Sequence, residues 1–264
     1  MPELPEVEAY RELAERVIGR TVAAVHAPDP WYLKGGVTAR GVGVALVGRR
    51  ISGVRRHGKV LLLDTRGGPT LGLRFGMTGR IVVDGVPGVD ALLYSSNAAD
   101  PAWDRITLAL AHRGRRSGSL AVRDPRRLGG VELDPDERRL GPDALTLGEQ
   151  KLRDALATST APLKARLMDQ AKIAGIGNLI ADEVLWRAGL DPARGAGSLT
   201  DPELRRLART LRSTLADLIG RGGSHTGDLM PARAPGGRCP RDGAPLLRRT
   251  IGGRTTWSCP VHQR

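Results

Sequence analysis

Aromatic side chains are scarce: Trp 4, Tyr 3 and Phe 1 make up 3% of 264 residues. A protein that binds single strands by stacking successive bases on aromatic platforms needs more of them, so this scarcity argues against that class. Cysteine is almost missing as well, at two residues, which excludes a disulfide-stapled scaffold. No run of about 18 apolar residues offers a membrane span. The first residues carry acids where a signal peptide would carry bases, and the expected setting is the cytoplasm, in association with the nucleoid. Acids are outnumbered 28 to 41 by Lys and Arg, for a formal charge of +13. Part of the arginine count can reflect a GC-rich genome, but the excess over acids fits a polyanionic partner. Duplex nucleic acid, gripped through phosphates and grooves, is the leading ligand class. The 40% apolar content is enough for globular units with real cores.

The chain starts Met1-Pro2-Glu3-Leu4-Pro5-Glu6-Val7-Glu8. If Met1 is trimmed, Pro2 presents a secondary amine with a pKa near the ~8 of an α-amino group, so a useful fraction is nucleophilic at neutral pH. Attack of such an amine on a sugar C1′ gives an iminium ion, an electron sink that needs no cofactor. Glu3 adjoins it as acid or proton shuttle for the ring oxygen. The competing reading is a plain helix start, with Pro5 in the first turn and Glu6 and Glu8 facing the helix dipole.

Apolar spacing predicts a helix over 5–18. From 21 to about 133 the period shortens, with strands expected at 21–26, 43–46, 53–56, 60–64, 71–75, 80–83, 105–111, 119–123 and 130–132 and a long loop at 84–103, the pattern of a sandwich or barrel. Helices are expected at 147–157, 161–171, 178–187 and 202–219. The break Gly175-Ile176-Gly177-Asn178 reads either as a phosphate cradle at a helix start or as an ordinary glycine C-cap and Asn N-cap. Cys239 and Asp242 are followed after sixteen residues by Cys259 and His262. That is the outline of a zinc ribbon with an oxygen and a nitrogen in place of two sulfurs. A metal-free hairpin, or a Cys239–Cys259 disulfide that a cytoplasmic setting disfavours, is the alternative.

The terminal motif, Arg56-His57-Gly58-Lys59, Gly76-Met77-Thr78-Gly79, Asp124-Pro125-Arg126-Arg127-Leu128-Gly129, Gly175-Ile176-Gly177-Asn178 through Ala181-Asp182-Glu183, and Gly252-Gly253-Arg254 together resemble the formamidopyrimidine-DNA glycosylase and endonuclease VIII family, in its order and over nearly the whole chain. The resemblance implies an α+β multidomain protein: an N-terminal β-sandwich with flanking helices (1–134), a helix-two-turn-helix domain (135–221), and a linker with a zinc-ribbon-like β-hairpin (222–264). It implies a monomeric bifunctional glycosylase and abasic-site lyase of base excision repair acting on damaged double-stranded DNA. Pro2, Glu3 and Lys59 would be catalytic. Glu6, Arg74, Met77, Arg126, Leu128, Asn178 and Arg254 would meet the DNA, with Met77, Arg126 and Leu128 filling the hole left by a flipped nucleotide. One structural zinc ion would be held by Cys239, Asp242, Cys259 and His262. Departures are Leu128 where a phenylalanine wedge is common, Arg74 and Phe75 for histidine and leucine, and a shortened 222–238 segment, which implies poor excision of 8-oxoguanine. A damaged-DNA-binding or architectural protein without catalysis, or an RNA-binding protein sharing the helical element, would use the same basic surface.

Overall fold

The computed structural model describes residues 2–93 and 95–264; Met1, whose trimming is part of the expectation for Pro2, and Tyr94, in the expected 84–103 loop, lie outside the described residues. The chain divides into two compact units, one of Met1–Pro2 with Glu6–Glu137 and one of Glu3–Pro5 with Arg138–Arg264. Three residues near the amino terminus thus belong with the carboxy-terminal half.

In the first unit, helix α1 (Leu4–Ala14) is followed by β1 (Thr21–His26), α2 (Ala39–Leu46), β2 (Ile51–His57), β3 (Val60–Thr65), β4 (Leu71–Arg74), β5 (Arg80–Val83), β6 (Val86–Pro87), β7 (Asp104–His112), β8 (Arg115–Arg123) and β9 (Gly130–Leu133). The strands form two antiparallel sheets, ordered β1-β7-β8-β5-β6 and β2-β3-β4-β9. One buried cluster takes Ile106, Leu108, Leu120 and Val122 from the first sheet and Leu61, Leu63, Leu71 and Leu73 from the second. Alternate residues of both sheets share that core, which makes the unit a sandwich. Residues 43–46 are a correction: they end helix α2. Thr38 Oγ1 accepts from Gly41 N at 3.0 Å to cap it, and Val42 and Leu46, four apart, are buried. A four-residue apolar run has no period long enough to separate strand from helix.

The second unit holds α3 (Glu149–Leu156), α4 (Leu163–Leu167), α5 (Asn178–Ala188), α6 (Asp201–Gly220) and the hairpin β10 (Leu247–Ile251) and β11 (Arg254–Ser258). The helices bury Leu152, Leu163, Leu167, Ile180, Val184, Leu207, Leu211 and Leu215 in one cluster. Helix α4 is shorter than the expected 161–171. Beyond it Gln170 donates to the carbonyls of Met168 and Ile176 and accepts from Gly175 N at 3.0 Å, and these bonds to the main chain replace helical ones. Among the described residues no helix is long and apolar enough to cross a membrane.

Helix α6 opens with a capping box of Thr200 and Glu203. Arg194 bonds both Glu203 oxygens at 2.6 and 2.9 Å. That guanidinium holds the Glu203 carboxyl down at about 2, and hydrogen bonds from Arg127 likewise hold Asp29 low. A depressed folded-state pKa stabilises above the unfolded value and is lost as pH falls through the folded one. Urea midpoints are therefore expected to be flat above pH ~5 and to fall from about pH 4.5 toward 2, less steeply in Glu203→Gln. A midpoint unchanged from pH 5 to 3 would contradict this.

Candidate functional site

The first turn of α5 determines where Glu3 sits. Gly177 is the N-cap of α5 and has no side chain to offer, so the N–H groups that open the helix need an outside acceptor. Glu3, fully buried, provides it: Oε1 accepts from Leu179 N at 2.9 Å and Oε2 from Ile180 N at 3.1 Å. An acidic side chain thereby caps the positive end of a helix 176 residues away in sequence. The two glycines of the motif make room for it. A Cβ on Gly177 would lie 2.2 Å from Glu3 Cδ, and one on Gly175 would lie 2.6 Å from Leu4 Cδ1. Gly175 also sits at φ +112, and its carbonyl accepts from Leu4 N at 3.3 Å. The glycine break is therefore a seat for the amino-terminal residues. The Leu179 and Ile180 N–H groups, which a phosphate cradle would need, are taken by Glu3. Asn178 is the first helical residue and not the cap. Its buried side-chain Oδ1 has no hydrogen-bond partner among the described residues, leaving the amide uncommitted at that oxygen.

In the first unit, Lys59 stands in the tight turn between β2 and β3, after Gly58 at φ +57. Arg56 braces this turn, donating to Gly58 O at 2.9 Å and to Glu8 Oε2 at 2.6 Å. Burial of Glu8 opposes ionisation, but the Arg56 and Arg11 hydrogen bonds outweigh it and hold its carboxyl below the ordinary range. Glu6 is 2% exposed in α1.

Met77 and Leu128 come from turns that pack backbone to backbone. A Cβ on Gly76 would meet the Leu128 carbonyl carbon at 2.4 Å, and one on Gly129 the Arg74 oxygen at 2.2 Å. The organiser is Asp124, fully buried. Its carboxylate accepts from the Thr78 hydroxyl, from Arg126 N at 3.2 Å and from Gly129 N at 2.9 Å. Tyr10 OH donates to Gly79 O at 3.2 Å and fixes the other side of the Met77 turn; burial, with Glu6 adding to it, pushes this phenol well above its usual range. Arg126 is exposed and Leu128 is 47% exposed on the resulting rim. Arg74, at the end of β4, lies 3.6 Å from Glu132.

Arg254 is exposed at the start of β11, after Gly252 and Gly253 at φ +56 and +71. Two positive φ values in succession make the two-residue turn that matches strand twist. A Cβ on Gly252 would touch Ala165 Cβ at 2.8 Å, so the turn rests on α4. Lys164 of that helix, fully buried, donates to Thr255 O and to Thr256 Oγ1 at 3.1 and 2.8 Å and pairs with Asp182 at 2.7 Å. Burial pushes the Lys164 ammonium down and Asp182 pulls it back.

At the far end of the hairpin, one donor atom each from Cys239, Asp242, Cys259 and His262 lies within 4.8 Å of the others. A tetrahedron with metal–sulfur distances of about 2.3 Å and metal–nitrogen of about 2.0 Å has S···N edges of about 3.5 Å, and Cys239 Sγ lies 3.6 Å from His262 Nδ1. The surroundings prepare these atoms as ligands. His262 Nε2 faces the Trp186 carbonyl at 3.1 Å, so the ring proton belongs there and the Nδ1 lone pair faces the cluster. Cys239 Sγ accepts from Trp186 Nε1 and Arg241 N, and Cys259 Sγ from Val261 N, at 3.3 to 3.4 Å. The donor set fits a four-coordinate cation.

A family model described as the formamidopyrimidine-DNA glycosylase N-terminal domain matches residues 1–131, and one described as the H2TH domain of the same enzyme matches residues 140–229. The chain belongs to the formamidopyrimidine-DNA glycosylase family. It is 39% identical over 292 residues to the formamidopyrimidine-DNA glycosylase of Thermus thermophilus, covering 100% of this chain and 98% of that one. The Paracoccus denitrificans protein of that name is 32% identical, with 100% of both covered. A Lactococcus lactis family member, in complex with a Fapy-dG containing DNA, superposes with TM-score 0.81 at 28% identity over 99% of this chain and 100% of that one. Another Lactococcus lactis structure, with an abasic site containing DNA, gives 0.81 at 28% identity over 99% of both.

Sequence reasoning noted Asp124 and Asp182 only as members of motifs and passed over Lys164, and it gave none of the three the organising contacts seen here. The acid that opens a loop motif, Asp124, and the lysine in an apolar stretch, Lys164, give no sign of partners 46 and 92 residues away.

Proposed function

We propose that this protein is a bifunctional DNA glycosylase and abasic-site lyase of base excision repair, acting on damaged double-stranded DNA. The observation that carries the reading is the Glu3 carboxylate, fixed through both oxygens on α5 in the residue next to Pro2, within a chain of this family. With Met1 removed, the Pro2 nitrogen attacks C1′, and the bond to the damaged base breaks with its electron pair leaving on the base. The amine proton passes to Glu3, which returns it to O4′ as the C1′–O4′ bond opens and the iminium forms. The iminium acidifies C2′, so loss of that proton and of the 3′ phosphate cuts the strand; a second elimination would release the 5′ phosphate. Lys59 neutralises phosphate or relays a proton beside the nucleotide. Both oxygens of Glu3 accept hydrogen bonds at rest, which suits a shuttle that begins as a proton acceptor.

Arg74, Asn178 and Arg254 grip phosphates, and Met77, Arg126 and Leu128 occupy the gap left in the duplex. Glu6 is buried, so a DNA group must come to it, as an extruded nucleotide does. Cys239, Asp242, Cys259 and His262 would hold one zinc ion, whose contribution is to brace the hairpin that carries Arg254; elemental analysis should find about one zinc per chain.

Borohydride should trap a covalent complex between the protein and a duplex with one abasic site, and peptide mapping should locate the adduct on Pro2. Pro2→Gly or a retained Met1 should lower trapping at least tenfold. Undiminished trapping, or an adduct on a lysine, removes Pro2 from the scheme. The second reading, a binder without catalysis, predicts tight duplex binding with no adduct at all.

A further inference from the structure

Trp31 is 67% exposed and is the only exposed aromatic among the described residues. A folded chain gains little from an indole left in water, since burying an aromatic side chain is worth about 1.5–3 kcal/mol relative to leaving it exposed. The ring is nevertheless held on a built mount. Trp31 lies in the one-turn segment Pro30–Tyr32, capped by Asp29 Oδ1, which accepts from Trp31 N at 3.1 Å. Asp29 is 7% exposed and is clamped by Arg127, Nε and Nη2 each donating at 2.6 Å. The mount is therefore tied to the same loop that presents Arg126 and Leu128. Its other side is tied too. Tyr32, fully buried, donates through its OH to Arg74 O at 3.4 Å, and Lys34 N donates to Val131 O at 2.8 Å.

The charge beside the ring is positive. Lys34 Nζ stands 4.8 Å from the indole centroid and donates to the Trp31 carbonyl at 2.6 Å, which holds the ammonium over the ring. An exposed indole with an ammonium over it, tied through Asp29 and Arg127 to the loop that carries Arg126 and Leu128, matches a nucleotide: a π-face or sugar face to lie on the open side of the ring and a phosphate beside the cation.

We infer that Trp31 and Lys34 form a further DNA contact, a platform that takes one nucleotide of the damaged duplex flanking the Arg126–Leu128 rim, Trp31 by stacking and Lys34 by neutralising its phosphate. This rests on the DNA-binding reading above and adds to it a pair of residues outside the motifs that carry the family resemblance. The contact positions the duplex and takes no part in bond breaking. It belongs to the bound DNA and not to a second copy of the chain, because the surrounding cations would repel their own image across an interface.

The test is binding of full-length protein to a duplex with one tetrahydrofuran abasic analogue, read by anisotropy over a salt series and by tryptophan emission. Trp31→Ala should raise Kd about tenfold, equivalent to about 1.4 kcal/mol, with Tm unchanged because the ring is exposed. Trp31→Phe should recover most of that loss, and emission should be quenched on binding in wild type but not in Trp31→Phe. Lys34→Gln should lower the slope of log K against log salt by about 0.9, the loss of one phosphate contact. Trp31→Ala binding within twofold of wild type, with emission the same free and bound, overturns the inference and leaves the glycosylase reading standing. Failure of wild type to bind the duplex would instead sink that reading. A Trp31→Ala effect on sedimentation without an effect on Kd would assign the ring to self-association and also overturn the inference.

Discussion

Gly177→Ala is expected to lower strand cleavage at abasic DNA by about 10³-fold while the protein still folds and still binds the duplex. The backbone of Gly177, at φ −118 and ψ −165, is one that alanine adopts without strain, so the effect is one of space. The new methyl would stand 2.2 Å from Glu3 Cδ and 2.4 and 2.5 Å from its two oxygens. Something must yield, and the side chain is softer than the helix. If the carboxylate swings away it gives up two hydrogen bonds to buried N–H groups. Each bond to a charged partner is worth about 1.5–3 kcal/mol, so a stability loss of about 3 kcal/mol accompanies the change. On the proposed mechanism catalysis loses more, because a proton shuttle works only at hydrogen-bond reach, and its removal typically costs 10²–10⁴-fold. Comparison with Glu3→Gln separates the two effects. That variant keeps the side chain's shape and loses its proton-accepting charge, so it should match the catalytic defect with a different loss of Tm. A Gly177→Ala protein that cleaves within twofold of wild type would remove Glu3's seat from the mechanism.

That seat also shows what one-dimensional reading can and cannot reach. The glycines of 175–178 announced a tight structure at a helix start, and both phosphate binding and ordinary capping were reasonable outcomes of the same residues. Which acceptor fills the helix end is a matter of tertiary approach, and nothing in Gly175 to Asn178 encodes that Glu3 arrives there. The strands of the sandwich were legible because each exposes alternate faces to one core, as at Ile106, Leu108 and Leu110. Residues 43–46 were not, since the cap that decides for helix is Thr38, five residues upstream of that window. The four residues that could hold a metal were legible as a set because donor spacing is set locally by two turns. The surrounding contacts that orient them, Trp186 to Cys239 and to His262, come from α5 and leave no local trace. Trp31 escaped for the opposite reason: exposure is a property of the fold, and an isolated Trp in sequence reads equally well as core.

Asp124→Ala should be the most damaging substitution on the Met77–Leu128 rim of the first unit, which is proposed to meet DNA, although Asp124 itself is fully buried. Its carboxylate joins Thr78, in the Met77 turn, to Arg126 N and Gly129 N, in the Leu128 turn. Between those two acceptor contacts Arg127 is held at φ +57, a left-handed conformation that a non-glycine residue keeps only when its surroundings enforce it. Removing the carboxylate leaves the buried Thr78 hydroxyl and two backbone donors unpaired, a loss that relaxation of Arg127 offsets only in part, so the expected loss of stability is about 3–5 kcal/mol. The functional consequence should exceed that of any single rim residue, because Met77, Arg126 and Leu128 lose their placement together. Duplex affinity should fall at least tenfold further than in Arg126→Ala or Leu128→Ala measured alone. Asp124→Asn is the discriminating variant. Its amide keeps one acceptor oxygen but turns an N–H₂ toward a donor, so it should fall between wild type and alanine in both Tm and Kd. If the rim were ordered by its own backbone, Asp124→Ala would lose stability yet bind the tetrahydrofuran duplex as wild type does, and the coupling of the two turns through this carboxylate would have to be abandoned.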